Sequence, residues 1–127
     1  MKKTFVMIAV LLITALYTSA QTLSENNLAK KWYLDKYKVA SEEYQPSRKE
    51  KGDYLFLKDD KHFTSVSEGK EERGFWLLNV NGKYILMKDD KGEKVKANIL
   101  RLTDQNLVLQ FDVDEIREVE VHYSTQR

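Results

Sequence analysis

The sequence predicts an all-β fold: eight short antiparallel strands running up and down in succession and closing into one barrel. Three observations carry this. Apolar runs of strand length recur, with turn residues between them. Several runs alternate strictly between apolar and polar positions, as a sheet with one buried face does. The links are short, so each run pairs with its neighbour. A meander of eight strands has two open edges unless it closes into a barrel.

The elements follow in order. Lys2 and Lys3 precede an apolar run from Phe5 to Leu16, and Tyr17-Thr18-Ser19-Ala20 supplies small residues with Ala20 last. This is the layout of a cleaved secretory signal peptide over residues 1–20. The apolar run is too short for the ~20 residues that cross a bilayer. The mature domain is then 21–127, starting at Gln21. Ser24 is placed to cap a short helical turn within residues 21–31. The strand-like runs are Trp32–Ala40, Asp53–Lys58, His62–Val66, Arg73–Leu78, Tyr84–Lys88, Glu93–Leu102, Leu107–Phe111 and Ile116–Ser124. Asn81-Gly82 is the strongest hairpin signal and predicts a type I′ turn with positive φ at both residues. The longest link, Ser41–Gly52, holds the only proline, Pro46. Loops of that length are often functional.

Alternation assigns the faces. Val95, Ala97 and Ile99 share one face, as do Leu107, Leu109 and Phe111. Val119, Val121 and Tyr123 share another, with Glu118, Glu120 and His122 opposite. Tyr54-Leu55-Phe56-Leu57 is apolar on both faces. An eight-stranded interior is filled by side chains or holds one small ligand.

Composition narrows the function classes. The 127 residues carry 21 Lys+Arg against 20 Asp+Glu. Without Lys2 and Lys3 the basic count falls to 19, so the mature chain is near neutral. That gives no reason to expect nucleic acid or an anionic membrane surface as partner. With no cysteine, disulfides, thiolate metal sites, a cysteine nucleophile and a lipid-anchored cysteine are ruled out. The expected product is soluble, in the periplasm or secreted, with no membrane anchor in the mature chain.

A family resemblance rests on ordered motifs. Leu28-Ala29-Lys30-Lys31-Trp32-Tyr33-Leu34 resembles the leucine, glycine-x-tryptophan and strand that open lipocalin-like domains. Leu57-Lys58-Asp59-Asp60-Lys61-His62-Phe63 resembles their second hairpin. Gly74-Phe75-Trp76, Asn81-Gly82 and Tyr84-Ile85-Leu86 resemble their Gly-x-Trp strand, turn and apolar strand. Ile99 to Leu109 matches most closely. The chain resembles the small lipocalin-like domain of exported bacterial proteins of the Bacteroidetes type, over about residues 28–123. Two positions depart: Lys30 and Lys61 stand where the family has glycine. The second implies a turn that needs no positive φ at Lys61. The resemblance implies a lipocalin-like barrel. By analogy with lipocalins proper, it implies a small hydrophobic ligand in the barrel mouth.

The same resemblance makes Trp32 the plug of the closed end, a barrel-base residue together with Trp76 and Tyr123. In a closed meander the last strand runs antiparallel to the first, which puts Arg117 near Val39 and away from Trp32. Arg117 shares the phase of Val119 and Val121, so an inward Arg117 at the open mouth would meet a ligand carboxylate or another polar head group. Its bland alternative is a solvent-facing rim residue. Tyr37, Tyr54, Phe56 and Phe75 are candidate cavity walls, or simply packing aromatics. His62 and His122 are isolated, so no metal site is expected. Asp112-Val113-Asp114-Glu115 lacks the glycine and spaced ligands of a calcium loop. No nucleophile triad, phosphate loop or His-Glu-x-x-His occurs, and no catalytic residue or cofactor is expected. The expectation is a non-enzymatic binder of a small hydrophobic or amphipathic molecule. The alternative is a protein-interaction or structural module of the cell envelope, drawn from the two-sided apolar strand at Tyr54–Leu57 and the long Ser41–Gly52 loop.

Overall fold

A computed structural model describes residues 21–127, so the signal-peptide expectation lies outside the described residues. A short helix α1 (Glu25–Leu28) is followed by β1 (Lys31–Val39), β2 (Glu42–Tyr44), a 3-10 turn (Arg48–Glu50) and β3 (Tyr54–Leu57). Then come β4 (His62–Ser67), β5 (Lys70–Asn79), β6 (Tyr84–Asp89), β7 (Lys94–Leu102), β8 (Asn106–Phe111) and β9 (Val119–Ser124). From β3 to β9 each strand pairs antiparallel with the next, β1 pairs with β3, and β1 also pairs with β9. That last pairing closes an eight-stranded antiparallel barrel. β2 is an extra arm, paired with the far half of β1 through Tyr37↔Tyr44 and Val39↔Glu42. Half of the expected long loop is therefore structured: β2 folds back through a positive φ at Ala40, and Lys36 holds Glu43 at 2.8 Å.

Ser24 caps α1, its hydroxyl accepting from the Asn27 N–H at 3.2 Å. Leu28 points from this turn into the barrel base, fully buried. The Trp32 indole N–H donates to the Leu28 carbonyl at 2.9 Å, and the Trp76 N–H to the Lys58 carbonyl at 2.8 Å. Both indoles are fully buried with Leu57, Ile85, Leu107 and Leu109. Lys30 lies 5.6 Å from the Trp32 ring centre and Lys61 5.4 Å from that of Trp76. Two tryptophans, each lidded by a lysine, form the dense closed end.

Bulges keep the inner face apolar where the sequence breaks phase. Across β1–β9 the register shifts between Leu34 and Lys36. Asp35 takes up the extra position, so Trp32 and Leu34 before it and Tyr37 and Val39 after it all face inward. A second shift between Ile99 and Arg101 ejects Leu100, which is 52% exposed.

Three local expectations are corrected. The β5–β6 link spans four residues between the Asn79↔Tyr84 pair. Its positive φ falls on Lys83, not on Asn81-Gly82. A Cβ at 82 would stand 2.5 Å from the Tyr84 ring, so that ring would have to shift to admit one. Lys61 does adopt a positive φ of 75°, so the lysine sits in the left-handed conformation that the family's glycine takes freely. Ile116 and Arg117 lie in a turn before β9, not in the strand.

Candidate functional site

Above the tryptophan layer the inward positions become small. Val39, Ser65, Ser67, Val95, Val119 and Val121 replace the large side chains of the base and cannot fill an eight-stranded interior. A cavity of about 660 Å³ results, bounded also by Leu34, Tyr37, Phe111 and Tyr123. A second hollow of about 350 Å³ adjoins it, sharing Ser65, Val95, Phe111, Val113 and Tyr123. The β2 arm and the 3-10 turn stand at the mouth and contribute Tyr44 and Glu50.

Four polar groups border the apolar wall. The Tyr37 hydroxyl donates to Glu50. Burial, then this bond, pushes the Tyr37 phenol up, and the same bond holds the Glu50 carboxyl below its ordinary range. Glu50 also accepts from the Ser47 N–H at 3.0 Å, which seats the 3-10 turn. Asp53 is 7% exposed and accepts from the Glu68 N–H at 2.8 Å. Burial raises its carboxyl pKa, with the Glu68 N–H opposing. The Tyr123 phenol is raised by burial and then by the charge of Asp53. Its hydroxyl borders the cavity and has no hydrogen bond among the described residues.

The fold agrees with what the chain is similar to. A model of the lipocalin-like domain matches residues 28–109. The chain belongs to this family. The lipocalin-like barrel also resembles the NMR structure of a protein from Bacteroides uniformis, with a TM-score of 0.60 at 14% identity, covering 83% of this chain and 94% of that one. That likeness concerns the fold alone. No curated protein matches the chain.

The lipocalin-like frame distributes the residues singled out from the sequence. Tyr37 faces the cavity, and Tyr54 borders its rim. The Tyr54 ring stands edge-on to Tyr33 with the Lys31 ammonium 4.1 Å from its centre. Phe56 and Phe75 do not line the cavity. Phe56 alternates with buried Leu55 and Leu57, so it points outward beneath Lys58. Phe75 lies between inward Gly74 and Trp76, is 54% exposed and leans on His62. Trp32 and Trp76 form the base. Tyr123 sits higher, paired with Leu34 and Leu107, and borders the cavity instead of the base.

Arg117 is the largest correction. It does not face inward: its Nε donates to Asp112 at 2.8 Å and its Nη1 to Asp114 at 2.6 Å, on the exposed loop before β9. Two neighbouring acids capture it before any ligand carboxylate can. The groups the sequence reading missed are Glu50 and Asp53. Asp53 shares the inward phase of Leu55 and Leu57, so an acid at an apolar-phase position was the available signal. Ser47-x-x-Glu50 carries the capping-box pattern that anchors the turn. Among the described residues no group of three His, Cys, Asp or Glu side chains is placed to hold a metal.

Proposed function

We propose that this lipocalin-like protein is a non-enzymatic carrier of a small, largely apolar molecule, held in the upper barrel. One observation carries the reading: the cavity of about 660 Å³ is walled by aliphatic and aromatic side chains, with a few polar groups gathered at its mouth. Ligand sites have this make-up. The test is titration of the delipidated mature chain with the neutral dye Nile red. One saturable site is expected, abolished by the cavity-filling Val121→Trp. Failure of the wild type to bind any apolar probe would refute the reading.

The proposed place of action is outside the cytoplasm, periplasmic or secreted. Lys2-Lys3, the Phe5–Leu16 run and the small residues to Ala20 support it. N-terminal sequencing of the exported fraction should begin at Gln21, and an uncleaved cell-bound chain would contradict it. A second reading, an interaction or structural module of the envelope, draws on Phe75 and Leu77, 54% and 59% exposed on the outer wall of β5. A strictly monomeric protein that recovers no partner after cross-linking would set it aside.

A further inference from the structure

The charge inside the mouth is one-signed. Glu50 and Asp53 border the main cavity, and among the described residues no lysine, arginine or histidine does so. Neither acid forms an ion pair with any described residue. Arg117, the cation expected at the mouth, is held outside by Asp112 and Asp114. The adjoining hollow is mixed but also acid-rich, with Glu72, Asp89 and Glu93 against Lys94.

A second observation is independent of the acids. Tyr123 is 9% exposed, borders both hollows and leaves its hydroxyl unpartnered among the described residues. Among the described residues the one buried side-chain polar atom with no partner is Gln21 Oε1, so the Tyr123 hydroxyl is open to the cavity and free to bond a bound head group. A buried carboxylate without a cation is costly, and Asp53 is one. Asp53 has one backbone N–H. Glu50 has the Tyr37 hydroxyl and the Ser47 N–H. Each carboxylate keeps acceptor capacity free, since a carboxylate offers about four lone-pair sites. A group with several N–H donors and a positive charge would satisfy all three side chains at once. An anionic head group would meet two carboxylates with no compensating charge.

We propose that the carried molecule is a cationic amphiphile, an apolar body bearing a protonated amine that docks against Asp53 and Glu50 with the Tyr123 hydroxyl as a further acceptor. This rests on the carrier reading above and reverses the head-group charge that an inward Arg117 would have implied. The apolar body lies against Leu34, Val95, Phe111 and Val121. Charge-assisted hydrogen bonds from the ammonium supply the specificity.

The test displaces Nile red with three probes of one tail length, decylamine, decanol and decanoate, each below its micelle concentration at neutral pH. Decylamine should bind most tightly and decanoate most weakly, the two differing by about tenfold or more, where each tenfold corresponds to about 1.4 kcal/mol. Glu50→Gln and Asp53→Asn should each lower the amine-to-decanol affinity ratio, and the double variant should abolish it. The amide of Asp53→Asn retains an oxygen for the Glu68 N–H. Glu50→Gln lies on a turn outside the barrel strands, so it stays informative if Asp53→Asn folds poorly. Circular dichroism checks both. If decanol or decanoate binds as well as decylamine, the carrier stands and the amine assignment falls. If the variants keep the full amine preference, the two acids are not its receptor and the assignment falls. If no probe binds, the carrier reading fails and takes the assignment with it.

Discussion

Gly74→Ala should be among the most damaging single-methyl changes in this barrel. Gly74 is buried on β5 opposite Asp89 of β6. A Cβ at 74 would lie 1.9 Å from the Lys88 carbonyl oxygen and 2.7 Å from the Asp89 Cα. Both obstacles are backbone, so no side chain can swing aside. A carbon meets a carbonyl oxygen comfortably at about 3.3 Å, so the strands must part locally by roughly 1.4 Å. That movement weakens the ladder next to Trp76↔Met87, where the base is fully packed. Two backbone hydrogen bonds at about 1 kcal/mol each, with overpacking strain of roughly 1–3 kcal/mol, give a loss of about 3–5 kcal/mol. The opposing gain, a less flexible unfolded chain, is only about 0.4–1 kcal/mol. Strain therefore wins. Gly92→Ala is the control: nothing lies within 4 Å of its added Cβ, and the change meets only a positive φ of 87°, costing about 1–2 kcal/mol. Urea unfolding followed by tryptophan fluorescence reads both. If Gly74→Ala costs no more than Gly92→Ala, the close β5–β6 approach is not what requires glycine here.

Other outcomes follow from the same geometry. Trp32→Ala should cost about 3–5 kcal/mol in urea unfolding, as expected when a fully buried indole is removed, and should loosen α1 by deleting the bond to the Leu28 carbonyl. Lys61→Gly should be more stable than Lys61→Ala by about 1 kcal/mol, because both lose the ion pair with Glu25 and only alanine keeps the left-handed strain. Asp53→Asn should stabilise the unliganded protein at neutral pH. Burial raises the Asp53 carboxyl pKa on folding, so the folded state binds that proton more tightly than the unfolded state. Wild-type stability from this group is then fullest below the unfolded carboxyl pKa and is lost as pH rises through the folded one. The advantage of the Asp53→Asn variant should vanish on acidification below about pH 3, and thermal melts of the pair across that range would expose an advantage that persists or reverses.

Period-two patterning is local chemistry, and it was legible. Val119, Val121 and Tyr123 on one face against Glu120 and His122 on the other required a half-buried strand, and the succession of such runs required a closed meander. The two tryptophans announced the base, since indoles of that size have few places to be buried. What a residue meets across space was not legible. Asp35 and Leu100 break phase, and only pairing with β9 and β8 turned those breaks into bulges that keep the interior apolar. Phe75 looks like a wall residue by composition, yet its phase between Gly74 and Trp76 turns it out to solvent. Arg117 lies in an inward phase on paper, but the turn before β9 hands it to Asp112 and Asp114. Glu50 belongs to an expected loop and Asp53 to the edge of a strand. Barrel closure carries both to the mouth beside Tyr37 and Tyr123. Alternation along one strand thus determined the fold, because burying one face depends only on neighbours two residues apart. The polarity of the cavity was decided by closure, because it depends on which distant side chains come to line one shared space.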